Sequence, residues 1–205
     1  MEPLLYYAGI ARPQLHSTDT MLDTARGLLL EGGSRHATVE AIAQASGAPT
    51  GTLYHRFGSR DELIARLWIR AVHRSQASAL VAVETSDPKA AALATGLSII
   101  DFCEQEPADA HLLVAFRRED LIAAKLGGQI ADDLEALNVP IERALRDLAR
   151  RLYGRVSRRS LHRTALAVFD IPYGAARRYL IANAPLPNGL REDVARAIAA
   201  VIDQP

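Results

Sequence analysis

The sequence predicts an all-α protein, and three observations predict it. Apolar residues recur at helical rather than alternating spacing along most of the chain. Capping residues and glycine stops punctuate that pattern. The composition is rich in Ala, Leu and Arg but only 5% aromatic, so the residues that fill strands are sparse. No strand and no internal repeat is expected.

Residues 1–16 hold Pro3 and Pro13 and no sustained period, so they read as an extension ahead of the fold. The first helix starts at Ser17 or Thr18, carries Met21, Leu22, Ala25, Leu28 and Leu29 on one face, and stops at Gly32-Gly33. Thr38 caps a short second helix with Val39, Ile42 and Ala43 as its buried stripe, ended by Gly47. Pro49 opens a third, PTGTLYHRF, in which Leu53 and Phe57 lie four apart on one face. Ser59 to Glu62 reads S-R-D-E, a capping box, and starts a long fourth helix through Leu63, Ile64, Leu67, Trp68, Ala71 and Val72 towards Thr85.

Ser86-Asp87-Pro88 is a stop and restart, after which Ala91 to Cys103 is apolar almost all round, the mark of a helix surrounded by others. Pro107 begins another helix through Phe116, and Gly127-Gly128 interrupts the helical pattern after it. Pro140 either kinks a helix from Gln129 to Tyr153 or starts a fresh one; Gly154 ends it. A helix from Ser157 carries Leu161, Ala165, Val168 and Phe169, Pro172 bends or breaks it, and the pattern resumes through Tyr179 to Ala184. Pro185, Pro187, Asn188 and Gly189 form a loop. The last helix, Arg191 to Asp203, places Val194, Ala197, Ile198, Val201 and Ile202 on one stripe.

Composition excludes several classes. The longest apolar runs fall far short of the roughly 20 residues that cross a bilayer, and the first residues lack the pattern of a secretory signal, so a cytoplasmic protein without membrane contact is expected. The single cysteine, Cys103, has no internal disulfide partner and no thiol or paired histidines at metal-ligand spacing, so it reads as a small buried hydrophobe. No Ser/His/Asp set, carboxylate pair or phosphate cradle stands out, and Gly127-Gly128 lacks both the G-x-G-x-x-G pattern and a preceding strand. Neither enzyme activity, metal nor cofactor is expected. The formal charge is zero, so no global basic field announces nucleic acid.

The local pattern does announce it. Two short helices joined across Ala45 to Pro49, after a scaffold helix and before a long one, have helix-turn-helix layout. With Leu53 and Phe57 buried, Thr50, Gly51, Thr52, Tyr54, His55 and Arg56 are left for the sides and front of the third helix. Hydroxyls there can bond phosphates, and small residues let the helix end approach a groove. The N-termini of the second and third helices, at Thr38 and Pro49, turn partial positive charge outward, and Arg56 and Arg60 add full charges.

The run VEAIAQASGAPTGTLYHRFGSRDELI resembles the DNA-binding segment of the TetR family of transcriptional regulators. The likeness is strong over about residues 18–65; beyond them it rests on length and helical layout. It implies that Tyr54 contacts the DNA backbone and that Thr50, Gly51 and Thr52 face the groove. The family has histidine or tyrosine before the phenylalanine, where this chain has Arg56, with His55 one place earlier; Arg60 stands at the family's usual lysine. The division implied is an extension at 1–16, a DNA-binding domain at 17–62 and a ligand-binding and dimerisation domain at 63–205.

The resemblance further implies a homodimer that binds a palindromic operator and is released by a small-molecule effector held in the C-terminal domain. Trp68, Phe102, Phe116, Phe169 and Tyr173 are the aromatics that either line such a cavity or fill the core. The family pairs its last two long helices across a two-fold axis, which assigns Leu161, Ala165, Val168, Val194, Ile198 and Val201 to a dimer face or to internal core. His111, beside Leu112 and Leu113, reads as a helix-surface or satisfied core histidine ahead of a ligand contact.

Two charge patterns complete the reading. Residues 1–62 hold five Arg and no Lys against seven Asp and Glu, a net of about −2, so few phosphates are neutralised and a shallow salt dependence is expected. Arg143, Arg146, Arg150, Arg151, Arg155, Arg158, Arg159 and Arg163 face only Asp147; with Glu142 also in reach, i,i+4 pairing makes them a solvated helix face rather than a second nucleic-acid patch. A small-molecule binding protein whose head has lost DNA binding is the competing expectation.

Overall fold

The computed structural model describes residues 17–118, 121 and 126–203; the expected extension at 1–16 lies outside them. The described residues form helices and no strand. In chain order they are α1 (Thr18–Gly32), α2 (Val39–Ser46), α3 (Thr50–Phe57), α4 (Arg60–Ala82), α5 (Pro88–Gln105) and α6 (Pro107–Ala115). After the glycines come α7 (Gln129–Ala136), α8 (Val139–Tyr153), α9 (Arg158–Ala165), α10 (Ile171–Ile181) and α11 (Leu190–Ile202).

The starts are local chemistry. Ser17 Oγ accepts from Thr20 N at 3.0 Å, Thr38 Oγ1 from Ala41 N at 3.1 Å, Ser59 Oγ from Glu62 N at 3.1 Å and Asp87 Oδ2 from Ala90 N at 2.7 Å. Each satisfies one of the amides a helix leaves unpaired. A reciprocal box forms at Ser157 and Ser160, where a second serine does the work of the usual glutamate. Gly47 ends α2 at φ 69°, the left-handed turn that lets α3 start three residues later, at Thr50.

Both prolines resolve. Pro140 sits in the first turn of α8, so 129–153 is two helices and not one kinked helix. Ahead of Pro172 the chain makes a π-turn at 166–170, in which Ile171 N–H reaches Leu166 O; α9, the turn and α10 follow one another without a break. The wider turn opens the backbone where the proline ring would meet the carbonyl four residues back.

Two apolar cores result. One joins α1, α2 and α3 to the first half of α4, through Met21, Ile42, Leu53, Phe57, Leu63 and Leu67, and takes in Leu112, Ile130 and Leu134 from beyond the head. The other surrounds α5, with Ile100 and Phe102 packed among Leu148, Val168, Val194 and Ile198. α4 runs from one to the other, so a movement of α4 is felt in both.

α5 and α11 cross closely at Gly96, where a Cβ would lie 2.5 Å from Ile198 Cδ1. This contact corrects part of the dimer expectation. Val168, Val194 and Ile198 are 3%, 3% and 0% exposed within the single chain, so they are core residues and present no face to a second copy. Their stripe is apolar because α5 covers it. Leu161, Ala165 and Val201 are half-buried.

The arginine run also differs in detail. Asp147 pairs with Arg150 at 3.2 Å, while Arg151 turns inward and donates to the carbonyls of Val83, Thr85 and Ser86 beyond the C-terminus of α4. Arg163 donates to Val201 O at 2.7 Å. Unpaired carbonyls at a helix end outcompete an exposed carboxylate for a guanidinium.

Candidate nucleic-acid interface and ligand cavity

α3 presents the surface that the sequence anticipates. Leu53 and Phe57 are 1% and 2% exposed and hold the helix from behind. At about 100° per residue, Gly51 and His55 point directly away from that buried pair. Tyr54 lies on the flank, 49% exposed, and Pro49, Thr50, Gly51 and His55 are exposed, with Thr52 half-buried. Around Gly51 nothing lies within 4 Å of where a Cβ would be, so its smallness serves no packing inside the chain. Thr38 is exposed, its oxygen engaged in capping α2 and its proton available to an outside acceptor.

The two arginines behave differently. Arg60 donates through Nε to Ala37 O at 2.6 Å and through Nη2 to Ser34 O and, at 2.9 Å, to Ser34 Oγ. Its fork clamps the turn between α1 and α2 onto the start of α4, which corrects the expectation of a phosphate donor. Arg56 is half-buried and leans towards Met21 Sδ, 3.9 Å away. His55, not Arg56, therefore occupies the outward position.

Behind the head a cavity of about 520 Å³ opens between α4, α5, α6, α8 and α10. Trp68, Phe102, Phe169 and Tyr173 line it. Phe169 and Tyr173 stack with ring centroids 5.5 Å apart, and Phe169 is 52% exposed. Phe116 stands apart: its carbonyl accepts from Trp68 Nε1 at 3.1 Å and so fixes the indole that forms the wall. His111 is also a packing residue, with Nδ1 3.0 Å from Leu180 O, to which it donates.

Between cavity and head runs a ladder of ion pairs that sequence reading missed. Asp19 and Asp23 of α1 pair with Arg70 of α4 at 2.8 and 2.5 Å, and Asp23 pairs with Arg26 at 3.3 Å. Arg26 then donates to Asp109 of α6, whose other oxygen takes Arg74 of α4 at 3.0 Å. Asp109 is fully buried. Its hydrogen bond raises the Arg74 guanidinium above its ordinary value, against the opposing effect of burial. The next residue, Ala110, lines the cavity, as do Leu113 and Val114 one turn on. The one sequence signal is an aspartate beside a run of apolar residues on a helix that must pack.

A smaller cavity, about 230 Å³, lies where α8 turns into α9, lined by Tyr153, Arg155, Ser157, Arg159, Ser160 and Arg163. Among the described residues no group of histidines, cysteines and carboxylates could hold a metal ion, and no helix is long and apolar enough to cross a membrane.

Residues 21–67 match the family described as bacterial regulatory proteins, tetR family, a span from α1 to the first turns of α4. No protein of curated function matches the sequence. Among solved structures, the TetR family transcriptional regulator PfmR from Thermus thermophilus is 24% identical, with 89% of this chain and 96% of that one covered at a TM-score of 0.63. The fatty acid degradation regulator FadR from Bacillus halodurans is 14% identical over 92% and 100%, TM-score 0.69. The FadR of Bacillus subtilis, solved in complex with stearoyl-CoA, is 11% identical over 91% and 98%, TM-score 0.67. At these identities the likeness establishes the fold, while the match over 21–67 falls on the helices that build the exposed face of α3. Over residues 21–67 the chain is similar to the tetR family of bacterial regulatory proteins, and over most of its length it shares the fold of the TetR family regulator PfmR.

Proposed function

We propose that the protein is a cytoplasmic, sequence-specific DNA-binding repressor that occupies a palindromic operator as a homodimer and leaves it when a small molecule fills the cavity. The observation that carries this reading is α3, pinned by Leu53 and Phe57 while Gly51, Tyr54 and His55 stand outward. Among the described residues no side-chain hydrogen bond or ion pair engages Tyr54 or His55, and nothing packs where a Gly51 Cβ would lie. Thr50 and Tyr54 bond phosphates, Gly51 lets the backbone approach base edges, and the α2 end at Thr38 meets a neighbouring phosphate.

The dimer brings two such helices to successive major grooves about 34–36 Å apart. Leu161, Ala165 and Val201 remain its candidates, joined by Phe169 and Ile181, which are 52% and 57% exposed in the single chain. Release requires only that the ligand favour a spacing of the heads that misfits the operator. α4 is the lever, and the Asp109 ladder ties it to α6 and α1.

The slightly acidic head favours one other reading, a ligand-binding protein without DNA affinity. Operator binding by Tyr54→Phe and Thr50→Ala variants tests the proposal: an intact fold with unchanged affinity removes the assigned roles, and no preference of the parent protein for any duplex leaves the second reading standing.

A further inference from the structure

The cavity walls narrow the chemistry of what they hold. Thr95, Ile99, Phe102 and Cys103 follow at i, i+4, i+7 and i+8 on α5, one helical face, and all four line the cavity. Ile99 and Phe102 are apolar. Burial, helped by Glu104, pushes the Cys103 thiol up to about 11, so it is neutral at physiological pH.

Thr95 is different. It is 3% exposed, and its Oγ1 is buried without a hydrogen-bond partner. A threonine hydroxyl inside a helix ordinarily bonds back to the preceding turn, and a buried hydroxyl left unpaired is costly. A rotation about one bond presents this hydroxyl to whatever fills the cavity.

Several of the other polar groups in the lining are bonded within the protein itself, while Glu142 and the Tyr173 hydroxyl also face the cavity. Arg118 donates through Nε and Nη2 to Leu134 O at 3.2 and 2.9 Å, so the fork that would clasp a carboxylate is turned to the backbone. Glu142 lines the same cavity with the opposite charge. Gln76 donates to Asn138 at 3.2 Å, and Ser75 to Val72 O at 2.8 Å. Among the described lining residues a carboxylate meets Glu142, and the one cation, Arg118, is turned towards Leu134 O.

Resting on the reading that this cavity is the effector site, we propose that its ligand is an uncharged, largely apolar molecule bearing one hydroxyl or carbonyl oxygen, and that Thr95 is the residue that recognises that oxygen. Either oxygen suits Thr95, which both donates and accepts.

Trp68 is the chain's single tryptophan and lines the cavity, so its fluorescence reports occupancy. The full-length protein is titrated with 1-octanol, 2-octanone and octanoate at pH 8. The alcohol and the ketone should bind about tenfold tighter than octanoate. Thr95→Val should erase that advantage while octanoate binding stays the same, and Thr95→Ser should retain it. A merely structural threonine would shift all three affinities together. Tighter octanoate binding, or an unchanged preference in Thr95→Val, overturns the proposal while leaving the cavity as effector site. Failure of all three probes to perturb Trp68 or raise the melting temperature overturns both.

Discussion

Arg74 Nη1 lies 3.0 Å from Asp109 Oδ2, and Arg26 donates to the other oxygen of the same fully buried carboxylate. One side chain of α6 thereby holds a residue of the head and a residue of the lever. Removing the charge strands two guanidiniums beside a neutral group. Asp109→Asn should lower unfolding stability by about 3 kcal/mol, the low end for a broken buried pair because Arg74 is itself 38% exposed. Urea denaturation measures it. The same variant should bind operator and ligand separately yet lose the effect of one on the other, which DNA affinity measured with and without ligand checks.

Gly51 separates folding from binding. It sits on an exposed turn of α3 with open space around its Cα, so Gly51→Ala should stabilise the chain by about 0.5 kcal/mol through helix propensity. A methyl on the face that approaches DNA should at the same time weaken operator binding at least tenfold. Thermal melting and fluorescence anisotropy together read the two opposite signs.

Tyr54→Phe removes a single hydroxyl that is 49% exposed with its ring, and should leave the melting temperature unchanged. A lost hydrogen bond to phosphate is worth about 1.5–3 kcal/mol, a drop of about tenfold to a hundredfold in operator affinity.

Arg60→Ala should act through stability, because its guanidinium holds the carbonyls of Ser34 and Ala37. The head should melt earlier, and operator affinity should recover on cooling. Arg60→Lys should restore little, since one ammonium cannot reproduce a fork spanning two carbonyls.

Cys103 supplies a pH signature. Its thiol is raised by burial from 9.0 to about 11, so the folded chain keeps a proton that the unfolded chain loses. This contribution is fully present below pH 9 and is lost as pH rises through about 11. Two units also mean about a hundredfold less thiolate than in the unfolded chain, so a disulfide reagent at pH 8 should label the native protein correspondingly slowly. Cys103→Ala should reduce the slope of stability between pH 9 and 11, leaving the part that Lys89, raised by Asp203, contributes.

Legibility in the sequence tracks the range of the interactions. Helix starts at Ser17, Thr38 and Ser59 are bonds between residues three apart, and the anchoring of α3 needs only that Leu53 and Phe57 be one turn apart. The α3 surface was therefore legible. The partners of Arg60 lie 23 and 26 residues away, beyond the reach of any local pattern. For Val194 and Ile198 the sequence leaves a dimer face and internal core both open, because an apolar stripe does not say which helix covers it; α5 does, at Gly96. The Asp109 ladder spans 83 residues between Arg26 and Asp109, a pairing that no local pattern encodes. Thr95 left only a faint trace, a polar residue within an almost wholly apolar helix.

Sequence-specific DNA binding through a slightly acidic head is measured by anisotropy of a labelled duplex from the intergenic DNA upstream of the protein's own gene, against a shuffled duplex, at two salt concentrations. At least a thousandfold preference for the native duplex and a shallow salt dependence are expected, since few phosphates are neutralised. Equal, steeply salt-dependent binding to both duplexes, or none to either, would contradict sequence-specific binding.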